Sequence, residues 1–133
     1  MVRGAGDPGP GGFSLKEGER SDANRLDDMR DAVRRIARFI EAVSITEFQD
    51  DPTLQDAVAF RIMALGEAAG RVSKRTRNAN PKVDWKKLSS FRNEPAHEYY
   101  ALQPERLWQF AHDTIPLLER QLRTIRSAAE EAE

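Results

Sequence analysis

Residues 26–43 read LDDMRDAVRRIARFIEAV, and the spacing of their apolar side chains decides the fold class. The positions that set the pattern are Leu26, Met29, Val33, Ile36, Ile40 and Val43. Their alternating separations of three and four residues place them along one side of an α-helix, with most of the aspartates and arginines off that side. The stretch therefore predicts a long helix that buries one face and fades around residues 46–49.

A second helical segment follows Asp51-Pro52, because proline is tolerated only in the first turn of a helix, and it extends to about Lys74. This segment contains Gly66 and Gly70. Each interior glycine costs about 1 kcal/mol relative to alanine, so their presence indicates a surface that another helix approaches closely.

The C-terminal half continues the helical pattern. Residues 78–81 predict a loop, a short helix containing Trp85 follows, and a last helix begins at Gln103 with a kink at Pro116. No stretch shows the period of two that a strand requires. The expected fold is all-α, an antiparallel four-helix bundle with a short additional helix.

The first twenty residues differ from the rest in composition. They hold six of the eight glycines and two of the seven prolines, and they have little apolar surface to bury. Such a segment cannot offset the entropy lost on ordering. We expect residues 1–20 to be a disordered leader and residues 21–133 to form one helical domain.

The amino-acid composition also excludes several classes of functional site. The absence of cysteine excludes disulfides, thiolate metal sites and cysteine nucleophiles, and the two histidines are too far apart to form a zinc site. No apolar run approaches the roughly 20 residues of a membrane span, and no signal peptide is evident. We therefore expect a cytoplasmic protein with no metal, no cofactor and no membrane partner.

Residues 91–100, FRNEPAHEYY, are the strongest candidate for a reaction site. Pro95 disfavours a continuous helix, so Asn93 is expected to cap a new helical turn that opens with Glu94 and Pro95. His97 would then lie one turn above Asn93 on the same face, with Arg92 free to fold back toward it.

This arrangement suits phosphate chemistry. The start of a helix attracts phosphate and disfavours the imidazolium form, so a neutral His97 could act as a general base. A guanidinium, here that of Arg92, can hold two non-bridging phosphate oxygens. The chemistry indicated is metal-independent cleavage of RNA, in which the 2′-hydroxyl attacks its own phosphate. The structural alternative is that this pair is only a helix cap or a surface ion pair.

Charge is unevenly distributed, although 21 basic and 22 acidic residues leave a net charge of only -1. Residues 71–92 contain eight basic residues and one acidic residue, whereas residues 41–56 contain five acidic residues and no basic one. The basic stretch could steer RNA toward Arg92, although basic loops are often only solvated. The candidate RNA-binding residues are Arg75, Arg77, Lys82, Lys86 and Lys87.

The remaining polar and aromatic residues have structural interpretations. The aromatic side chains of Trp85, Trp108, Tyr99 and Tyr100 are expected in the core or at an interface. His112 is expected on a helix surface. Glu67 lies among small residues, where we expect a basic partner such as Arg92.

The chain from about Leu26 to Leu122 resembles the HepT-like members of the HEPN superfamily, which are RNase toxins of bacterial toxin–antitoxin pairs. The residues that carry the resemblance are, in order, Phe48-x-x-Asp51, Gln55-Asp56-Ala57-Val58, Gly66-Glu67-Ala68, Trp85 and Arg92-Asn93-x-x-x-His97-x-Tyr99. The last of these is the R-x4-H-x-Y signature of that family at full spacing.

The resemblance implies a HEPN fold and a homodimer with both motifs facing one cleft, and the small residues around Gly66 also favour a dimer. It implies that Arg92 and His97 are catalytic, that Asn93 positions them, and that a minimal nucleotidyltransferase antitoxin transfers AMP to Tyr99. The alternative from another class is a non-catalytic helical module that docks such a nucleotidyltransferase. A third is a bundle in which the motif only caps a helix.

Overall fold

A computed structural model describes residues 15–93 and 103–125, with side chains described from residue 22 onward. All the regular structure in these two ranges is helical, which confirms the predicted all-α class. Residues 1–14, 94–102 and 126–133 lie outside the described residues. The predictions for most of the leader, for the helical turn opened by Pro95, and for His97, Tyr99 and Tyr100 therefore stay predictions.

The described ranges contain seven α-helical segments and one π-helical turn. They are α1 Leu15–Ile40, α2 Ile45–Gln49, α3 Pro52–Arg71, α4 Lys74–Ala79, α5 Trp85–Ser90, α6 Pro104–Gln109, the π-helical turn Phe110–Thr114 and α7 Ile115–Thr124. The start of α1 at Leu15 lies inside the segment predicted as a leader, and six residues before the predicted start of the domain at Ser21.

The apolar stripe of α1 forms the centre of the core. Leu26, Met29, Val33 and Ile36 are each at most 1% exposed, as their spacing predicts. The predicted extension of this helix to residues 46–49 is wrong, because α1 ends at Ile40. Ser44 then starts α2 with a capping box, in which its hydroxyl accepts a hydrogen bond from the Glu47 N–H and its own N–H donates to the Glu47 carboxylate.

Helix α3 begins as predicted and ends earlier than predicted. The Asp51 carboxylate accepts a hydrogen bond from the Leu54 N–H at 3.0 Å, and Pro52 occupies the first turn. The helix stops at Arg71 rather than near Lys74, because Val72 adopts an extended conformation. Ser73 caps the new helix α4, which also includes the first two residues of the predicted 78–81 loop.

Helix α1 packs along α3 and α7, while α5 lies against α3 and α2 lies against α3 and α6. The π-helical turn joins α6 and α7 into one rod immediately before Pro116, where the sequence predicts a kink. A π-helical turn loosens the local hydrogen bonding, and the Ile115 N–H bonds to the Phe110 carbonyl five residues back. The described ranges contain three long rods, so the fourth helix of the predicted bundle stays a prediction.

No helix in the described ranges has both the length and the apolar character needed to cross a bilayer.

Asp22 ties α1 to the start of α4. Its buried carboxylate accepts hydrogen bonds from the Ser73 N–H at 2.8 Å, from the Ser73 hydroxyl at 2.5 Å and from the fully buried Thr76 hydroxyl at 2.7 Å. This carboxylate links two helices that are 51 or more residues apart in the chain. It therefore fixes the turn between α3 and α4.

Replacing Asp22 with alanine is expected to lower the free energy of unfolding by about 3 kcal/mol, because buried donors lose a charged acceptor. Urea denaturation followed by circular dichroism measures the change. The matched control is Asp28→Ala on the same helix, where the side chain is 60% exposed and the expected change is at most about 0.5 kcal/mol. Equal effects of the two substitutions would refute the anchoring role of Asp22.

Candidate functional site

Arg92 and Asn93 form the turn that directly follows α5. The Arg92 N–H donates to the Ser89 carbonyl at 3.3 Å, the Asn93 N–H donates to the Ser90 carbonyl at 2.9 Å, and both side chains are exposed. The preceding Phe91 is buried, and its ring meets the Phe110 ring edge-on with centroids 5.1 Å apart. The turn is therefore anchored to the C-terminal helical rod while the side chain of Arg92 remains at the surface.

Gly66 allows this turn to lie close to α3. A Cβ atom at Gly66 would lie 2.7 Å from the Leu88 carbonyl oxygen, 2.9 Å from the Phe91 Cβ and 3.1 Å from the Arg92 backbone nitrogen. The predicted close packing is confirmed, and its partner is the end of α5 in the same chain. Because this surface is occupied within the chain, it does not provide the dimer contact that the small residues suggested.

Gly70 lies one turn further along α3, and there the neighbour is the guanidinium of Arg92. A Cβ atom at Gly70 would lie 2.6 Å from Nη1, 2.8 Å from Cζ and 3.0 Å from Nε of that arginine. The guanidinium of Arg92 is therefore placed against bare helix backbone. Nothing in the sequence links position 70 to position 92, so only the structure reveals this contact.

The predicted pairing of Glu67 with Arg92 is wrong. Glu67 is exposed, and its Oε1 lies 3.3 Å from Nη2 of Arg71, which is four residues later on the same face of α3. No carboxylate in the described ranges forms an ion pair with Arg92. The positive charge of the Arg92 guanidinium is therefore not neutralised by any acidic side chain whose position is described.

The basic stretch is a helix–loop–helix rather than a loop. Arg75 lies on α4, Lys82 lies on the connection and Lys86 and Lys87 lie on α5, and all four side chains are exposed. Asp84, the one acid in this stretch, caps α5 by accepting a hydrogen bond from the Lys87 N–H at 3.1 Å. This surface therefore presents cations on the helix that leads directly into Arg92.

Arg77 differs from the other candidate RNA-binding residues. Its side chain is only partly exposed, and its Nε is buried with no hydrogen-bond partner among the side and main chains that are described. The side chain of Arg77 is therefore less exposed than those of Arg75 and Lys86.

Trp85 and Trp108 have the structural roles that the sequence predicts. Trp85 is buried, and its Nε1 donates to the Asn80 carbonyl at 2.8 Å, which fixes the connection between α4 and α5. Trp108 is partly buried between Phe48 and His112, with ring centroids 5.6 Å and 5.2 Å away. His112 is exposed on its helix, as expected, and its Nδ1 lies 2.8 Å from the Asp113 carboxylate.

Arg92 and Asn93 thus lie in the turn directly after α5, whose exposed lysines Lys86 and Lys87 precede them in the chain. The separation between Arg92 and His97 stays a prediction, as does the place of Tyr99. Among the side chains of residues 22–93 and 103–125, no group of three or more histidine or acidic residues is arranged to hold a metal ion.

Comparison with known proteins identifies the family. The model of the HepT-like ribonuclease family matches residues 29–125. "Putative RNase TTE0752" of Caldanaerobacter subterraneus subsp. tengcongensis is 30% identical over 86 residues, which cover 65% of this chain and 77% of the relative. "Probable ribonuclease HepT" of Thermococcus cleftensis is 24% identical over 108 residues, covering 81% of this chain and 98% of the relative. No solved structure matches significantly. The chain belongs to the HepT-like ribonuclease family.

Proposed function

We propose that this chain is a metal-independent endoribonuclease in which Arg92 and His97 act on one phosphodiester. The observation that carries the proposal is the exposed Arg92 guanidinium, held against α3 at the end of a basic helix with no described carboxylate beside it. Among the described residues, no acidic side chain has to be displaced from Arg92 before an incoming phosphate binds. Membership of a ribonuclease family supports RNA as the source of that phosphate.

The proposed reaction is an internal transesterification. His97 removes the proton from a 2′-hydroxyl, and the resulting oxygen attacks the adjacent phosphorus. The bond from phosphorus to the 5′-oxygen breaks, and the leaving 5′-oxygen takes a proton from the protonated His97 of a second copy of the chain. Arg92 binds the non-bridging oxygens, where negative charge builds up in the transition state, and Asn93 positions the pair. The products are a 2′,3′-cyclic phosphate and a 5′-hydroxyl end.

A cleavage assay in EDTA tests this activity against the module alternative. The purified chain is incubated with RNA and, separately, with DNA of the same sequence. Cleavage of RNA alone supports the proposal. If the chain leaves RNA intact while a minimal nucleotidyltransferase binds it tightly, the function is that of a docking module instead.

The exposed cations of α4 and α5 are proposed to bind the RNA backbone. A chain with Lys86→Ala and Lys87→Ala should bind RNA more weakly whatever the RNA sequence. With fewer phosphate contacts, binding releases fewer counterions. The slope of log affinity against log salt is negative, and its magnitude should fall by about 0.7 per lost contact on single-stranded RNA. Fluorescence anisotropy with an uncleavable 2′-O-methyl oligonucleotide gives both quantities.

The matched control for the lysine pair is Arg34→Ala with Arg35→Ala. These are exposed cations of α1, at 62% and 52% side-chain exposure, and both lie close to Asp31. Their loss should leave the salt slope unchanged. If the lysine substitutions also leave the salt slope unchanged, α5 does not contact the RNA backbone.

Regulation is proposed to act through Tyr99. In a toxin–antitoxin pair, a minimal nucleotidyltransferase would transfer AMP to this tyrosine, two residues from His97. The added bulk and negative charge would compete with substrate phosphate. Mass spectrometry of chain co-expressed with such an enzyme should show one adenylyl group on the Tyr99 peptide, and an unmodified peptide would count against this control.

The active form is proposed to be a homodimer in which two motifs share one cleft, so that two copies of His97 serve the two ends of the transferred phosphate. This rests on the family resemblance alone, since the Gly66 surface is used within the chain. Sedimentation at micromolar concentration should show twice the 15.1 kDa chain mass, and a single-chain species alone would contradict the dimer.

A further inference from the structure

We infer that Gly70 is a positioning residue for Arg92. Because glycine has no side chain, the Arg92 guanidinium can lie against the α3 backbone at position 70, and this space is its seat. The inference rests on the proposed function, because it assigns a role to the arginine of the reaction. Its basis is steric: Nη1, Cζ and Nε of Arg92 all lie within 3.0 Å of the place that a Cβ at position 70 would take. Any residue other than glycine would displace the charged end of Arg92 from its present position.

Gly66 and Gly70 lie on the same face of α3, one turn apart, but they contact different kinds of atom. A Cβ at Gly66 would meet the Leu88 carbonyl oxygen and the Arg92 backbone nitrogen, which cannot move without disturbing the packing of α5. A Cβ at Gly70 would meet the far end of one flexible side chain. Gly66 therefore serves the fold, whereas Gly70 serves the conformation of Arg92.

The position of the seat along α3 adds an electrostatic contribution. Gly70 is the penultimate residue of the 20-residue helix, which ends at Arg71. The last turn of a helix carries partial negative charge from carbonyl groups that lack helical partners, and this charge attracts a guanidinium. Contact with bare backbone and attraction to the helix end together restrict an exposed side chain that would otherwise sample many rotamers. A guanidinium held in this way is oriented before the substrate arrives.

The test is Gly70→Ala in the full chain, assayed by steady-state RNA cleavage in EDTA and by thermal unfolding. The value of kcat is expected to fall by about ten- to a hundredfold, because small displacements of a catalytic group are costly. The value of KM should change little. The melting temperature should stay the same or rise, because alanine has a higher helix propensity than glycine. A residue with a merely structural role would not combine lower kcat with retained stability.

Two controls separate the possible outcomes. Gly66→Ala should lower the melting temperature. Arg92→Ala combined with Gly70→Ala should be no slower than Arg92→Ala alone, because both changes act through one side chain. The NMR signal of the Arg92 Nε–H, assigned from its loss in Arg92→Ala, should shift in Gly70→Ala, and this readout does not depend on activity.

Different failures lead to different conclusions. A Gly70→Ala chain with wild-type kcat beside an impaired Arg92→Ala chain would overturn the role of Gly70 and leave the proposed function standing. A Gly70→Ala chain that loses stability in parallel with activity would also overturn that role, as would an unshifted Arg92 signal. An Arg92→Ala chain as active as wild type would overturn the proposed function. It would also overturn the catalytic role of Gly70, which acts through Arg92.

Discussion

Replacing Arg92 with alanine is expected to lower kcat for RNA cleavage by about 10²- to 10³-fold, which is the usual loss when one donor to a developing oxyanion is removed. The side chain is exposed and has no acidic partner in the described ranges, so the free energy of unfolding should stay within about 1 kcal/mol of the wild type. Loss of activity without loss of stability would show that Arg92 takes part in the reaction rather than in stabilising the fold.

The measurement for Arg92 is an initial-rate assay in EDTA, with urea denaturation of the same preparations. Arg34→Ala is the matched control, since Arg34 is an exposed arginine on α1 outside the basic stretch. It should cleave RNA at the wild-type rate. An Arg92→Ala chain that is destabilised but retains its rate per folded molecule would instead support the helix-cap interpretation of the motif.

Substitution of His97 by alanine is expected to have an effect of similar or larger size, about 10²- to 10⁴-fold on kcat, because a general base contributes that much to proton transfer. His112→Ala is the control, because His112 is the other histidine of the chain. Its ring is exposed, stacks on Trp108 and lies beside the Asp113 carboxylate, so its loss should leave the rate near that of the wild type.

The two histidine variants are compared by their rates of RNA cleavage under identical conditions. If His97→Ala and His112→Ala cleave RNA equally well, the base is another group and the proposed mechanism is wrong. If both are inactive, the exposed His112 also takes part in the reaction, and His97 alone does not account for the base.

Local sequence patterns predicted the parts of this fold that depend on local physics. The spacing from Leu26 to Ile36 identified the buried stripe of α1, and Asp51-Pro52 identified the start of α3, because periodicity and capping are encoded within one or two turns. The end of α1 was also encoded locally, in the capping box of Ser44 and Glu47, although the helix was expected to continue beyond it.

Other features could not be predicted because they depend on contacts between distant residues. Ser73, the cap of α4, is held by the Asp22 carboxylate, 51 residues earlier. The conformation of Arg92 depends on Gly70, which the sequence identifies only as a small residue. The expected Glu67–Arg92 pair failed because Arg71 lies nearer to Glu67 on the exposed face of α3. The sequence thus named candidate site residues, whose roles stay predictions, but not the contact that orients Arg92.

Mass spectrometry of the fragment ends formed from a defined RNA in EDTA shows whether the 2′-hydroxyl is the nucleophile at a phosphodiester held by Arg92. We expect 2′,3′-cyclic phosphate and 5′-hydroxyl ends, and no cleavage at a position where the 2′-hydroxyl is methylated. Fragments with 3′-hydroxyl and 5′-phosphate ends, or cleavage at the methylated position, would contradict this mechanism.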